Sequence, residues 1–154
     1  MRGLLYMVHA YQALRARTDQ LRIPLDASER RRLEELERAL GHGEGEGTRA
    51  MPRVLFPWPV VLTLSGGFAA GTLRDVSGGG MRLRTPVPPA EGAHVLVHAA
   101  GPLRGEEFVF PARVVWRRLD EVPVMGVAFD GVPSHSLPDD ARYRRQRRHT
   151  PLVA

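Results

Sequence analysis

Between Val54 and Phe129 the chain offers six short segments that read as β-strands: 54–64, 68–76, 81–85, 94–99, 108–118 and 122–129. Turn-rich connections such as "SGG", "PVPPAEG" and "AAGPLRGEE" separate them. In "MRLRT" the alternation puts Met81 and Leu83 on one face and Arg82 and Arg84 on the other. Six short strands at this spacing would leave exposed edges in an open sheet, and closure removes them. The expected architecture is therefore a six-stranded antiparallel barrel, with Pro57 and Pro59 confining the start of the first strand to an edge or a bend.

The segment before the barrel has a different period. Leu4, Met7, Val8, Tyr11 and Leu14 recur at helical spacing over residues 3–21. A second helix follows, with Asp26 as N-cap, Glu29 completing a capping box, a seam of Leu33, Leu36 and Leu40, and Gly41 as its stop. Two short amphipathic helices cannot bury both apolar faces alone. They must dock on the barrel, meet a second copy or receive a partner protein, and the sequence leaves these alternatives open. The chain thus divides into a helical extension (1–41), a glycine-rich linker (42–48), the barrel (49–131) and a basic tail or short helix (132–154). The fold class is mainly β with an α-helical N-terminal extension.

Charge narrows the partners. The net charge is +5, and all 22 basic residues are arginine. Residues 131–154 hold five of them, Arg142, Arg144, Arg145, Arg147 and Arg148, against two aspartates. An arginine surface suits phosphate and guanine edges. Nucleic acid is the rival partner, but aromatic residues are 6% of the chain and no strand shows the exposed aromatic run that base stacking uses. No apolar run is long enough to span a membrane, so a soluble cytoplasmic protein without membrane insertion is expected. The absence of cysteine removes disulfides and thiolate metal sites.

Enzyme motifs are missing. "DVSGG" has Asp75 where a nucleophile elbow needs glycine, and the triple glycine lacks the Lys-Ser/Thr of a phosphate-binding loop. His94 and His98 lie roughly 13 Å apart on one strand face at about 3.3 Å per residue, far for one metal. Glu106 and Glu107 are adjacent and point oppositely on a strand. Nothing assembles a nucleophile, base and orienter, and neither metal nor cofactor is expected.

The informative stretch is "RDVSGGGMRLR", residues 74–84. Extended backbone projects Asp75 and Ser77 from one face. A carboxylate there can accept the paired N1–H and N2–H₂ donors of guanine, and the amides of Gly78–Gly80 can receive an oxygen. The same residues also suit a hairpin turn capped by Asp75 or Ser77. Upstream, "RAMPR" at 49–53 carries Arg49 and Arg53, with Pro52 disfavouring a helix. Arginine supplies bidentate contacts to phosphate and to the guanine O6/N7 edge.

Arg-x-x-x-Arg before a first strand, then Asp-x-Ser-x-x-Gly in a six-stranded barrel, resembles the PilZ domain family of bacterial cyclic di-GMP receptors. "VVW" ending at Trp116 and "GVAFD" from Gly126 resemble its last two strands. The likeness covers about residues 48–131. It implies that Arg49 and Arg53 clasp phosphates and guanine Hoogsteen edges, that Asp75 and Ser77 hold a base, and that Gly80 keeps the approach open. A valine at 80 would then weaken binding and leave the barrel folded. Trp116 is a further candidate, as a stacking platform or as core. Thr48 stands where many members have another basic residue, so one ligand and an intercalated pair both remain open. A receptor of this kind acts by what the ligand moves: here residues 45–53 and the helices, on which a protein partner or a second copy would act. A nucleotide-independent adaptor is the alternative within the family.

Overall fold

The computed structural model describes residues 2–40 and 58–137. Two helices, α1 (Arg2–Asp19) and α2 (Ala27–Leu40), precede seven strands: β1 (Trp58–Leu64), β2 (Gly67–Val76), β3 (Gly80–Arg84), β4 (His94–Ala100), β5 (Glu107–Arg118), β6 (Val124–Phe129) and β7 (Ser134–Ser136). All pairings are antiparallel. Neighbours run β4-β1-β2-β3-β6-β5, and β4 also pairs with β5, which closes a six-stranded barrel.

Strict alternation builds the interior. Val60, Leu62, Leu73, Leu83, Val97 and Met125 point inward, and at 0–4% exposure their burial is complete enough to define the core face. β5 is the longest strand, at 12 residues. One of its edges pairs with β4; along the other, β6 takes Ala112–Arg118 and β7 takes Glu107–Val109. The seventh strand falls in the segment expected to be a tail. "SHS" carries no apolar alternation, so only its pairing reveals it. The chain bends from β6 to β7 at Gly131, whose φ of 143° suits glycine.

The helices form an antiparallel pair and dock on the barrel through α1. The α2 cap is the one expected. The Asp26 carboxylate accepts the Glu29 amide at 2.7 Å, and Glu29 accepts the Asp26 amide at 3.2 Å. Glu29 also pairs with Arg17 of α1, joining cap to neighbour. Helix α1 ends at Asp19, before the expected 21, because the Gln20 and Leu21 amides both turn back to the Ala16 carbonyl and Arg22 takes a left-handed φ of 51°. Leu5 and Val8 are fully buried and Tyr11 nearly so, with Leu4, Met7 and Leu14 partly buried. The stripe is broader than a single seam because α1 faces both α2 and the barrel. Docking on the barrel, one of the arrangements the sequence left open, is seen here.

Candidate functional site: the β2–β3 turn and the row beside it

Two β-bulges set the site. In β2, Leu73 faces Leu83 and Asp75 faces Arg82, so Arg74 is an extra residue; in β5, Val114 faces Val127 and Trp116 faces Gly126, so Val115 is extra. An extra residue inverts the alternation. Leu73 and Val114 point into the core, and without the bulges Asp75 and Trp116 would follow them two residues on. Instead both turn outward. The register then aligns Asp75, Arg82, Gly126 and Trp116 in one row across β2, β3, β6 and β5.

The row is tightly fitted. Arg82 donates from Nε (2.9 Å) and Nη2 to Asp75 Oδ2, and this bonding raises the guanidinium above its ordinary pKa. A Cβ at Gly126 would stand 2.2 Å from Trp116 Nε1, so the indole lies where a side chain would be. Arg118 caps the ring at 5.7 Å from its centroid. Trp116 is accordingly a surface residue over a glycine, and only partly buried.

The turn itself is locally satisfied. The Ser77 hydroxyl accepts the Gly79 amide (3.3 Å) and lies 3.4 Å from the Gly80 carbonyl, which also accepts the Ser77 amide at 2.9 Å. The capped-hairpin reading of Ser77 is the observed arrangement. Gly80 is crowded from the β6 side. A Cβ there would sit 2.0 Å from the Val127 carbonyl oxygen, so β6 occupies the space and accounts for the glycine. Asp75, Ser77, Gly80 and Trp116 are thus brought to one end of the barrel surface. Arg49 and Arg53 lie outside the described residues, as do the arginines of 142–148.

Helix α1 reaches this turn. The Gln12 side-chain amide donates to the Gly78 carbonyl. Beside that bond a cleft of about 340 Å³ opens between α1 and the turn, lined by Gln12, Arg15, Gln20, Gly78, Gly79 and Phe129. Arg15 is held by Asp19 at 3.3 Å and by Glu37 of α2 at 3.7 Å.

The other end of α1 rests on a buried polar cluster that sequence reading missed. The Glu106 side chain is fully buried, and the Tyr6 hydroxyl donates to its oxygens at 2.7 and 2.6 Å. His135 Nε2 stands 3.4 Å from Glu106, and its ring stacks on Phe108 at 4.4 Å. Gly101 makes room, since a Cβ there would overlap the Glu106 side chain at 1.9 Å. The bond to Glu106 raises the Tyr6 hydroxyl, because ionising it would set two anions together. His9 is lowered, first by burial and then by His135, against a hydrogen bond to the Pro133 carbonyl that raises it. The undocked His9 takes a proton more readily than the docked one. Docking is therefore at full strength above the ordinary value of about 6.5 and weakens as pH falls from there toward the docked value. Hydrogen exchange in α1 at pH 7.5 and pH 5 is expected to show faster opening at pH 5, and His9→Gln should flatten the difference. An unchanged slope in that variant would assign it to other groups.

One contact chain crosses three strands. Thr63 Oγ1 lies 2.7 Å from His98 Nε2, and His98 Nδ1 lies 2.6 Å from Glu107 Oε1. The order is that of a hydrolase relay. β1 and β4 are each paired on both sides here, so the contacts run across the ladders from β1 through β4 to β5. It is a cross-strand tie. Among the described residues no cluster of His, Asp and Glu could hold a metal, and no helix is long and apolar enough to cross a membrane.

A family model described as "PilZ domain" matches residues 48–143, most of the chain and all of the barrel. The chain belongs to the PilZ domain family. PilZ domains are binding and adaptor modules rather than enzymes, and cyclic di-GMP is their general ligand. Among solved structures, the chain is similar to the PilZ domain of CeSA from a cellulose-synthesizing bacterium, at 20% identity and a TM-score of 0.40, over 64% of this chain and 100% of that one. No curated protein matches the chain.

Proposed function

We propose that this PilZ protein is a cyclic di-GMP receptor that converts occupancy of the β2–β3 turn into movement of its N-terminal helices. Asp75 and Ser77 take a guanine edge, Arg49 and Arg53 clasp the phosphates and the Hoogsteen edge, and Trp116 offers a stacking face at the end of the row. Gly80 serves by letting β6 close against the turn, which holds the motif in place. The observation that carries the reading is the Gln12–Gly78 hydrogen bond, because it ties α1 to the motif's own backbone.

A ligand seated on the turn competes for that contact. Micromolar binding makes available about 8 kcal/mol. Only the part that differs between docked and released helices shifts their equilibrium. One neutral hydrogen bond and its neighbours, at about 1 kcal/mol each, lie well within that range. Release would present Leu5, Val8 and Tyr11 to a protein partner or a second copy.

Calorimetry with cyclic di-GMP tests the receptor, with Arg53→Ala and Asp75→Ala expected to weaken binding by about 30-fold or more. Deletion of 139–154 should leave binding intact. Hydrogen exchange tests the coupling: ligand should deprotect α1, and Gln12→Ala should deprotect it in advance. Binding without any change in α1 would leave a receptor that signals by another route.

A further inference from the structure

The geometry points to Arg82 as the positioning residue that makes Asp75 selective for guanine, an inference that rests on the cyclic di-GMP reading above. Asp75 sits next to the bulged Arg74, where the ladder is interrupted and a short carboxylate has freedom to turn. Arg82, directly opposite, removes that freedom. Its Nε and Nη2 both bond Oδ2, and among the described residues Oδ1 has no hydrogen bond. The fork's two donors fill both lone pairs of Oδ2, which anchors that oxygen and leaves Oδ1 as the acceptor that faces a ligand.

Guanine recognition uses such an oxygen. Its N1–H and N2–H₂ donate side by side, and Oδ1, with both of its lone pairs unused, can accept them while Arg82 stays bound through Oδ2. Adenine offers one donor beside an acceptor, so a fixed carboxylate meets it with an oxygen against a ring nitrogen. A carboxylate free to rotate can relieve that clash by turning Oδ1 aside. Arg82 therefore favours guanine and disfavours adenine through Asp75, without itself touching the base. On its other flank Arg82 faces Gly126, and the Trp116 indole lies over that glycine. The pair is only about a quarter to a third exposed, at 31% for Arg82 and 25% for Asp75, so water competes weakly for it.

Calorimetry on the full chain with cyclic di-GMP and cyclic di-AMP, for wild type, Arg82→Ala, Arg82→Lys, Asp75→Asn and the double variant Asp75→Asn/Arg82→Ala, tests this. Arg82→Ala is expected to bind cyclic di-GMP about tenfold more weakly and to lose most of its preference over cyclic di-AMP. Arg82→Lys should fall between, since an ammonium attracts the oxygen without the fork's two directed donors. In the Asp75→Asn background, removing Arg82 should cost nothing more, the signature of action through Asp75. Wild-type affinity in Arg82→Ala, or an undiminished loss in the Asp75→Asn background, would overturn the inference while the receptor reading stands. Absence of binding by wild type would overturn both. A thermal melt confirms that each variant is folded, with Arg82→Lys as the reserve should alanine destabilise the row.

Discussion

Gly80→Val is expected to destabilise the barrel by about 3 kcal/mol or more. The β-carbon would overlap the Val127 carbonyl oxygen at 2.0 Å and crowd the Val127 carbonyl carbon at 3.1 Å and the Ala128 Cα at 3.3 Å. All three are backbone atoms, so no side chain can swing aside. Either β3 or β6 must retreat, and that breaks the ladder joining Gly80–Arg84 to Val124–Ala128. Overpacking against a yielding neighbour costs about 1–3 kcal/mol, and a rigid one costs more. Against a total stability of about 5–15 kcal/mol, that removes a large fraction of the margin. Gly66→Ala is the control, since a Cβ there meets nothing within 4 Å. Urea or thermal unfolding of both variants decides the matter. A Gly80→Val protein that melts like wild type and has lost only ligand binding would restore the reading in which that glycine serves the ligand.

Phe108→Ala is expected to cost about 3–5 kcal/mol and to free α1 from the barrel. The ring is fully buried. It stacks on His135 at 4.4 Å, meets Tyr6 edge-on at 5.1 Å, and runs parallel to Phe110 at 6.3 Å. Truncation removes the floor on which α1 and β7 both rest, so two measurements should move together. The global melt should drop, and α1 amides should exchange faster even where the barrel remains folded. Phe68→Ala provides the contrast, because that ring is 79% exposed and its loss should fall within about 0.5 kcal/mol of zero. A destabilised barrel with unchanged α1 exchange would mean that the helix is held elsewhere.

Much of this was legible in the sequence because alternation is a local signal. Five of the six expected strands begin and end within about two residues of the observed ones, and the Asp26–Glu29 cap forms as its residues require. The first strand is described only from Trp58. What could not be read depends on distant partners. Leu5 looks like a neighbour of Leu4 until the barrel comes up beneath it. The ion pair of Asp75 with Arg82 requires the register across the turn, and that register follows from a bulge at Arg74 that has no compositional mark. Gly80 looks like turn chemistry, yet its need for glycine comes from β6, more than 40 residues away. His135 and Glu106 read as scattered polar residues, and only the pairing of β7 with β5 brings them together beneath Tyr6.

The outer row also has a consequence for how this surface can be gained or lost. Asp75 and Trp116 face outward because each follows a single supernumerary residue, so the row is a matter of parity. Deleting Arg74 alone would carry Asp75 into the barrel wall with every contact residue still present, and deleting Val115 would do the same to Trp116. A one-residue length change in a strand could therefore silence or create such a surface without altering any of the four residues that compose it.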